Sequence, residues 1–179
     1  MRILIFLTLP ILVFAFAKSG PPEISEIENI SFSATSCFGV CPAYSVDFTD
    51  SGIAELRWKP YHRKIIAQHD SMFAHIIGNR FPDSILESSK ILVFSAKIDV
   101  MQFESLTKLF VANKFFEMSD WRENMTDLPT FYFSAVRDSI EKTVSMYGLN
   151  PPKDMVELKN AIEKLIRKMD WKYIGESEK

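Results

Sequence analysis

The sequence feature that most constrains the fold is the order in which strand-like and helix-like periodicities follow one another along the chain. Residues 44–58 alternate between apolar and polar side chains on both sides of a turn at 50–52, which predicts a β-hairpin. A helical stripe that starts with a capping box at Asp99 follows, then a second hairpin over 131–147 and a second helix over 154–169. The spacing in the second helix predicts that Glu163 faces solvent and that the core stripe consists of Met155, Leu158, Ile162, Leu165 and Met169. Hairpin, helix, hairpin, helix is an order typical of an α+β domain.

The predicted architecture is an antiparallel sheet built from the two hairpins, with both helices packed on one face. A short N-terminal strand at 30–35 joins the same sheet, and Gly52 supplies the positive φ that the first turn needs. The connection 59–90 shows little regular periodicity. Its spacing predicts only a short helix at 72–77, and a further strand candidate follows at 91–94.

The first seventeen residues have the features of a signal peptide. Arg2 supplies a positive charge, an apolar run extends to Phe16, and Ala15-Phe16-Ala17 gives the small-x-small pattern of a cleavage site. The apolar run is shorter than the roughly 20 residues that span a bilayer. We therefore expect cleavage after residue 17, no transmembrane segment in the mature chain, and a secreted, periplasmic or cell-envelope location.

One domain is expected behind the signal peptide. Residues 18–27 are predicted to be a flexible tether, 28–174 a single globular domain and 175–179 a disordered tail. A formal net charge of −2 is too small to indicate a nucleic-acid partner, and the aromatic content of 13% is enough for a substantial core.

The chain has two cysteines, Cys37 and Cys41, which lie close together between the first two strands. In an oxidising compartment such a pair usually forms a disulfide. Gly39 allows the small ring to close, and Pro42 fixes the exit into the next strand. The predicted disulfide stabilises one corner of the domain.

A copper-binding or thiol-redox protein using Cys37 and Cys41 is the alternative, because Cys-x-x-x-Cys-Pro is also the copper-binding pattern of Sco-type assembly proteins. In that thioredoxin-like fold the motif opens a helix. Residues 44–48 alternate as a strand here, which favours the structural disulfide.

The segment Cys-Phe-Gly-x-Cys-Pro-x-Tyr-x-Val, which runs from Cys37 to Val46 and includes Tyr44 as a structural residue of the loop, resembles an uncharacterised family of exported bacterial domains, domain of unknown function 6438. The resemblance extends over residues 28–171 and includes Thr-Asp-x-Pro-Thr at 126–130 and Trp171. It implies export and a shared fold, and it supplies no activity. The chain departs from the family in its Asp-Ser-Gly turn and in its longer 59–90 connection.

The resemblance makes Asp127 and Thr130 candidate binding residues. Trp121 is added because tryptophan is a common interface anchor. The asparagines of two short sequons, Asn29 and Asn124, fit the N-glycosylation pattern, which matters only in a eukaryotic source.

Other recognised motifs for catalysis, metals and cofactors are absent from the sequence. No nucleophile elbow or glycine-rich phosphate loop occurs, so we expect no catalytic residues and no cofactor. The acidic stretch 117–127 lacks the spacing of a calcium loop. The spacing of the three histidines matches no zinc pattern; these residues are His62, His69 and His75. The preferred function is a non-catalytic exported domain that binds a protein, a peptide or a cell-envelope component.

Overall fold

A computed structural model describes residues 27–38, 41–59 and 90–177. The signal peptide, nearly all of the tether, Gly39, and the three histidines with the short helix expected near them lie outside these residues.

The described residues form an eight-stranded sheet and two α-helices, with a 3-10 turn at Phe115–Glu117. The strand order across the sheet is β5-β7-β6-β1-β2-β3-β4-β8. The strands are β1 Ile27–Ala34, β2 Ala43–Thr49, β3 Ile53–Lys59, β4 Ile91–Lys97, β5 Trp121–Arg122, β6 Phe131–Arg137, β7 Ile140–Tyr147 and β8 Lys172–Ser177, and the helices are α1 Val100–Ala112 and α2 Lys153–Lys168.

The α+β class is confirmed, but the sheet is mixed and not purely antiparallel, because β5 pairs parallel with β7. β5 follows a helix and a 3-10 turn, not a hairpin, so it reaches the sheet edge running in the same direction as β7. Asp120, directly before β5, is bound to β7, because the amide of Ser145 donates to Asp120 Oδ1 at 2.7 Å. This hydrogen bond lowers the pKa of the Asp120 carboxyl below its usual value. The predicted hairpin-helix order is not confirmed, because β4, which begins at the predicted strand candidate 91–94, lies between the first hairpin and α1.

The C-terminal end of the chain differs from its prediction. Residues 175–177 of the predicted disordered tail 175–179 form the end of β8, which pairs antiparallel with β4. Tyr173 of β8 packs edge-on against Phe94, with ring centroids 5.8 Å apart. The end of the chain contains charged residues and a glycine, so its composition did not predict this edge strand.

One face of the sheet is apolar and the other is polar, as period-two alternation requires. On the polar face Ser31 Oγ donates to Asp47 Oδ1 at 2.6 Å, and Arg57 forms ion pairs with Asp47 and Glu55. The buried residues of the other face form one cluster with the apolar sides of both helices. In α1 these are Phe103, Leu106, Thr107 and Phe110, and in α2 they are Met155, Leu158, Ile162 and Ile166.

Trp171 belongs to the core cluster and lies between the end of α2 and the start of β8. It is buried, and its indole Nε1 donates to the backbone oxygen of Ile166 at 2.8 Å. This hydrogen bond satisfies the polar atom of an otherwise apolar side chain and fixes the turn from α2 into β8.

Candidate functional site

The connections at the two ends of the sheet differ in length. At one end the hairpins close tightly, at 50–52 and at 138–139, where Gly52 (φ 83°), Asp138 and Ser139 have positive φ. At the opposite end lie the loops 35–42, 123–130 and 148–152. We call the described residues of these three loops the loop end. Binding residues concentrate on loops that a rigid scaffold positions, so the loop end is the candidate site.

A disulfide closes the first of these loops. Cys37 and Cys41 are bonded, with their Cα atoms 5.3 Å apart, which confirms the predicted pairing. The amide of Cys41 donates to Cys37 Sγ at 3.2 Å, and Pro42 leads directly into β2. Phe38, inside the ring, has 91% of its surface exposed.

The cysteine loop is joined to the segment 126–130. The amide of Thr35 donates to the backbone oxygen of Thr130 at 3.0 Å, and the amide of Thr130 donates to Thr35 Oγ1 at 2.9 Å. Two segments 95 residues apart in sequence are thereby held side by side by a reciprocal pair of hydrogen bonds.

An aromatic cluster supports this junction from the core. The Phe32 ring stacks on Phe131 at a centroid distance of 5.9 Å and also contacts Phe133 and Tyr44. Phe32 is 1% exposed, so the strands that carry the two joined loops share a rigid base.

Polar contacts connect the same cluster to α2. The hydroxyl of Tyr44 donates to Glu163 Oε1 over 3.5 Å, and Lys159 Nζ lies 2.6 Å from the same oxygen. Lys159 also lies over the Phe131 ring, 4.9 Å from its centroid. Tyr44, predicted to be a structural residue of the loop, is therefore placed between the sheet and the helix.

A comparison with protein families matches residues 28–166 to the family described as Domain of unknown function (DUF6438). The chain belongs to this family. The match includes Thr35 and Thr130, so the pair of hydrogen bonds between them lies within the DUF6438 domain. We call this pair the Thr35–Thr130 junction. No curated protein matches the chain in a sequence search.

In the DUF6438 domain Asp127 belongs to the loop end, and Trp121 of β5 lies directly beside it. Trp121 is half-buried beside Gly148, where an added Cβ would lie 2.7 Å from the indole ring, so only glycine fits there. Glu123 Oε2 accepts from the amide of Leu149 at 2.9 Å. Asp127 is exposed in the 123–130 loop with a φ of 70°, a conformation that aspartate tolerates better than most residues.

Phe38 was not among the predicted site residues, although a large apolar side chain within a five-residue disulfide ring is held away from the core. Gly52, a predicted structural residue, lies in the turn between β2 and β3, at the opposite end of the sheet from the loop end. Among the described residues, no group of three histidine, cysteine, aspartate or glutamate side chains could hold a metal ion. No helix in the described part of the chain is long and apolar enough to cross a membrane.

Replacing Cys37 and Cys41 together with serine is expected to lower the free energy of unfolding by about 2 kcal/mol. The loss is modest because the ring is small and the Thr35–Thr130 junction remains. Denaturant unfolding monitored by circular dichroism measures it. Free thiols and stoichiometric copper in the protein as isolated would contradict a structural disulfide and support the copper-binding alternative.

Proposed function

We propose that this chain is an exported, non-catalytic domain that binds a protein, a peptide or a cell-envelope component through its loop end. The observation that carries the proposal is Phe38, which is 91% exposed in a loop closed by a disulfide. An exposed phenylalanine keeps a large apolar surface in water, and a partner that buries it gains the corresponding free energy. Aromatic side chains are accordingly prominent anchors in protein interfaces.

The constraints on the cysteine loop support binding because they lower the entropy cost of association. The disulfide shortens the free part of the loop, and the Thr35–Thr130 hydrogen bonds fix its base. A loop that is ordered before a partner arrives loses less conformational freedom on binding. Asp127 and Trp121, at the same end of the sheet, extend this surface.

Export is supported by the signal-like sequence of residues 1–17 together with the disulfide. Disulfides persist in oxidising compartments and are rare in the cytosol. The proposed location is therefore secreted, periplasmic or on the cell envelope.

Site-specific photocrosslinking in the exporting cell tests this function. The photoreactive analogue p-benzoylphenylalanine is placed at position 38 and, as a matched control, at position 140. Ile140 is also a well-exposed apolar residue, 66% exposed, but it lies at the tight-turn end of the sheet. We expect covalent adducts with one partner at position 38 and none at position 140, with adducts identified by mass spectrometry.

Equal crosslinking at positions 38 and 140, or none at position 38, would contradict binding at the loop end. Export is checked on the same material by N-terminal sequencing, which is expected to begin near Lys18. Recovery of Met1 at the N-terminus would contradict cleavage.

A further inference from the structure

We propose that the groove between α1 and α2 binds an acidic amphipathic helix of a partner protein. The groove has a volume of about 340 Å³ and lies on the helix layer, so this surface is separate from the loop end and goes beyond the function proposed for it. Its lining residues are Met101, Gln102, Ser105, Leu106 and Leu109 of α1 and Ala161, Lys164, Leu165 and Lys168 of α2.

The floor and walls of the groove are apolar. Leu106 is buried at its base, while Leu109 and Leu165 are half-buried on its two sides. Met101 is 76% exposed, and the adjacent Val100 is also exposed, so the first turn of α1 presents apolar surface to solvent. Unbranched methionine side chains adapt to different apolar partners, which suits a docking surface.

The charge of the groove is one-sided. Among the described residues that line it, only Lys164 and Lys168 are charged, and both belong to α2. Neither forms an ion pair within the part of the chain that the structure describes. The α1 rim carries the uncharged Gln102 and Ser105. A ligand that complements this groove has an apolar stripe with carboxylates along the flank that faces α2.

The shape of the groove favours a helix over an acyl chain. Met101 to Leu109 extend about 12 Å along α1, which corresponds to about two turns of a docked helix. The groove is more open than enclosed, so an acyl chain lying in it would keep much of its surface in water. Small-molecule sites usually bury 70–90% of a ligand. An amphipathic helix buries only its apolar side and leaves its polar side in water, which is the helix-in-groove mode of recognition.

Selection from a displayed library of single helices with randomised surface positions tests the proposal on the full mature chain. We expect the enriched helices to carry leucine-like residues at i, i+4 and i+7 and Asp or Glu on one flank. The charge-reversed variant Lys164→Glu/Lys168→Glu should bind these helices at least about tenfold more weakly by titration calorimetry. The matched control Lys153→Glu/Lys172→Glu has the same net charge, alters exposed lysines outside the groove, and should bind as the unmodified chain does.

Three results would overturn the proposal: no enriched helix, enriched helices without an acidic bias, or equal affinity for the two double variants. Saturable binding of oleate that Lys164→Glu/Lys168→Glu abolishes, without helix binding, would assign the groove to a fatty acid and would also overturn it. Phe38→Ala should leave helix binding unchanged, so failure here is distinguishable from failure of the loop-end function.

Discussion

Replacing Leu158 with alanine is expected to lower the free energy of unfolding by about 2–5 kcal/mol. Leu158 is 0% exposed and lies on the side of α2 that packs into the core cluster with the sheet. Truncation to alanine leaves a cavity that the surrounding side chains fill only in part, which adds to the lost burial of the leucine itself. Urea unfolding at equilibrium measures the difference.

The neighbouring residue Glu157 provides the control, because it is exposed on the same helix. Glu157→Ala should change the free energy of unfolding by less than about 0.5 kcal/mol. Equal losses for Leu158→Ala and Glu157→Ala would mean that both sides of α2 are buried, for instance in an assembly of chains.

Local signals predicted most of the sheet and one helix start. Alternation of side chains identified β2, β3, β6 and β7, because a half-buried strand shows its two faces in successive residues. The capping box of α1 is confirmed: the amide of Met101 donates to Asp99 Oδ1, and the amide of Asp99 donates to Gln102 Oε1. These features depend on residues that are neighbours in sequence.

The face of α2 was predicted only in part. Leu165 was expected in the core stripe, whereas Ile166 is the buried residue and Leu165 borders the interhelical groove. Both positions are compatible with a stripe through Ile162, and the tilt of the helix on the sheet selects between them. The helix also begins at Lys153 after Pro152 without a side-chain cap, and not at the predicted Asp154.

The solvent side of α2 was also predicted incompletely. Glu163 was expected in solvent, but it is half-buried beneath Tyr44 and flanked by Lys159 and Arg167. This burial depends on a strand that is 119 residues away in sequence, so periodicity within the helix contains no information about it.

The same limit applies to the candidate site. The disulfide followed from two nearby cysteines, and it is confirmed. The Thr35–Thr130 junction and the parallel pairing of β5 with β7 depend instead on contacts between distant segments. β5 has only two residues, too few to show a period, and β8 has no buried residue, so no apolar face marks it in the sequence.

Replacing Phe32 with alanine is expected to lower the free energy of unfolding by about 3–5 kcal/mol, the largest effect we predict. Phe32 is 1% exposed, and its ring contacts Tyr44, Phe131 and Phe133. Without this ring, the cysteine loop and the 126–130 segment lose the aromatic packing that supports both of them. The Thr35–Thr130 hydrogen bonds should therefore open more often, which amide hydrogen exchange at Thr35 and Thr130 measures.

Phe38 supplies a control of the same residue type, six positions along the chain and almost fully exposed. Phe38→Ala should change the free energy of unfolding by less than about 0.5 kcal/mol and leave exchange at Thr35 unchanged, because its ring contributes no core packing. A large loss of stability from Phe38→Ala would mean that its ring is buried in the folded protein, and it would remove the basis for an anchor at the loop end. If Phe32→Ala destabilises the domain and Phe38→Ala removes only partner binding, the two phenylalanines separate the support of the cysteine loop from its recognition surface.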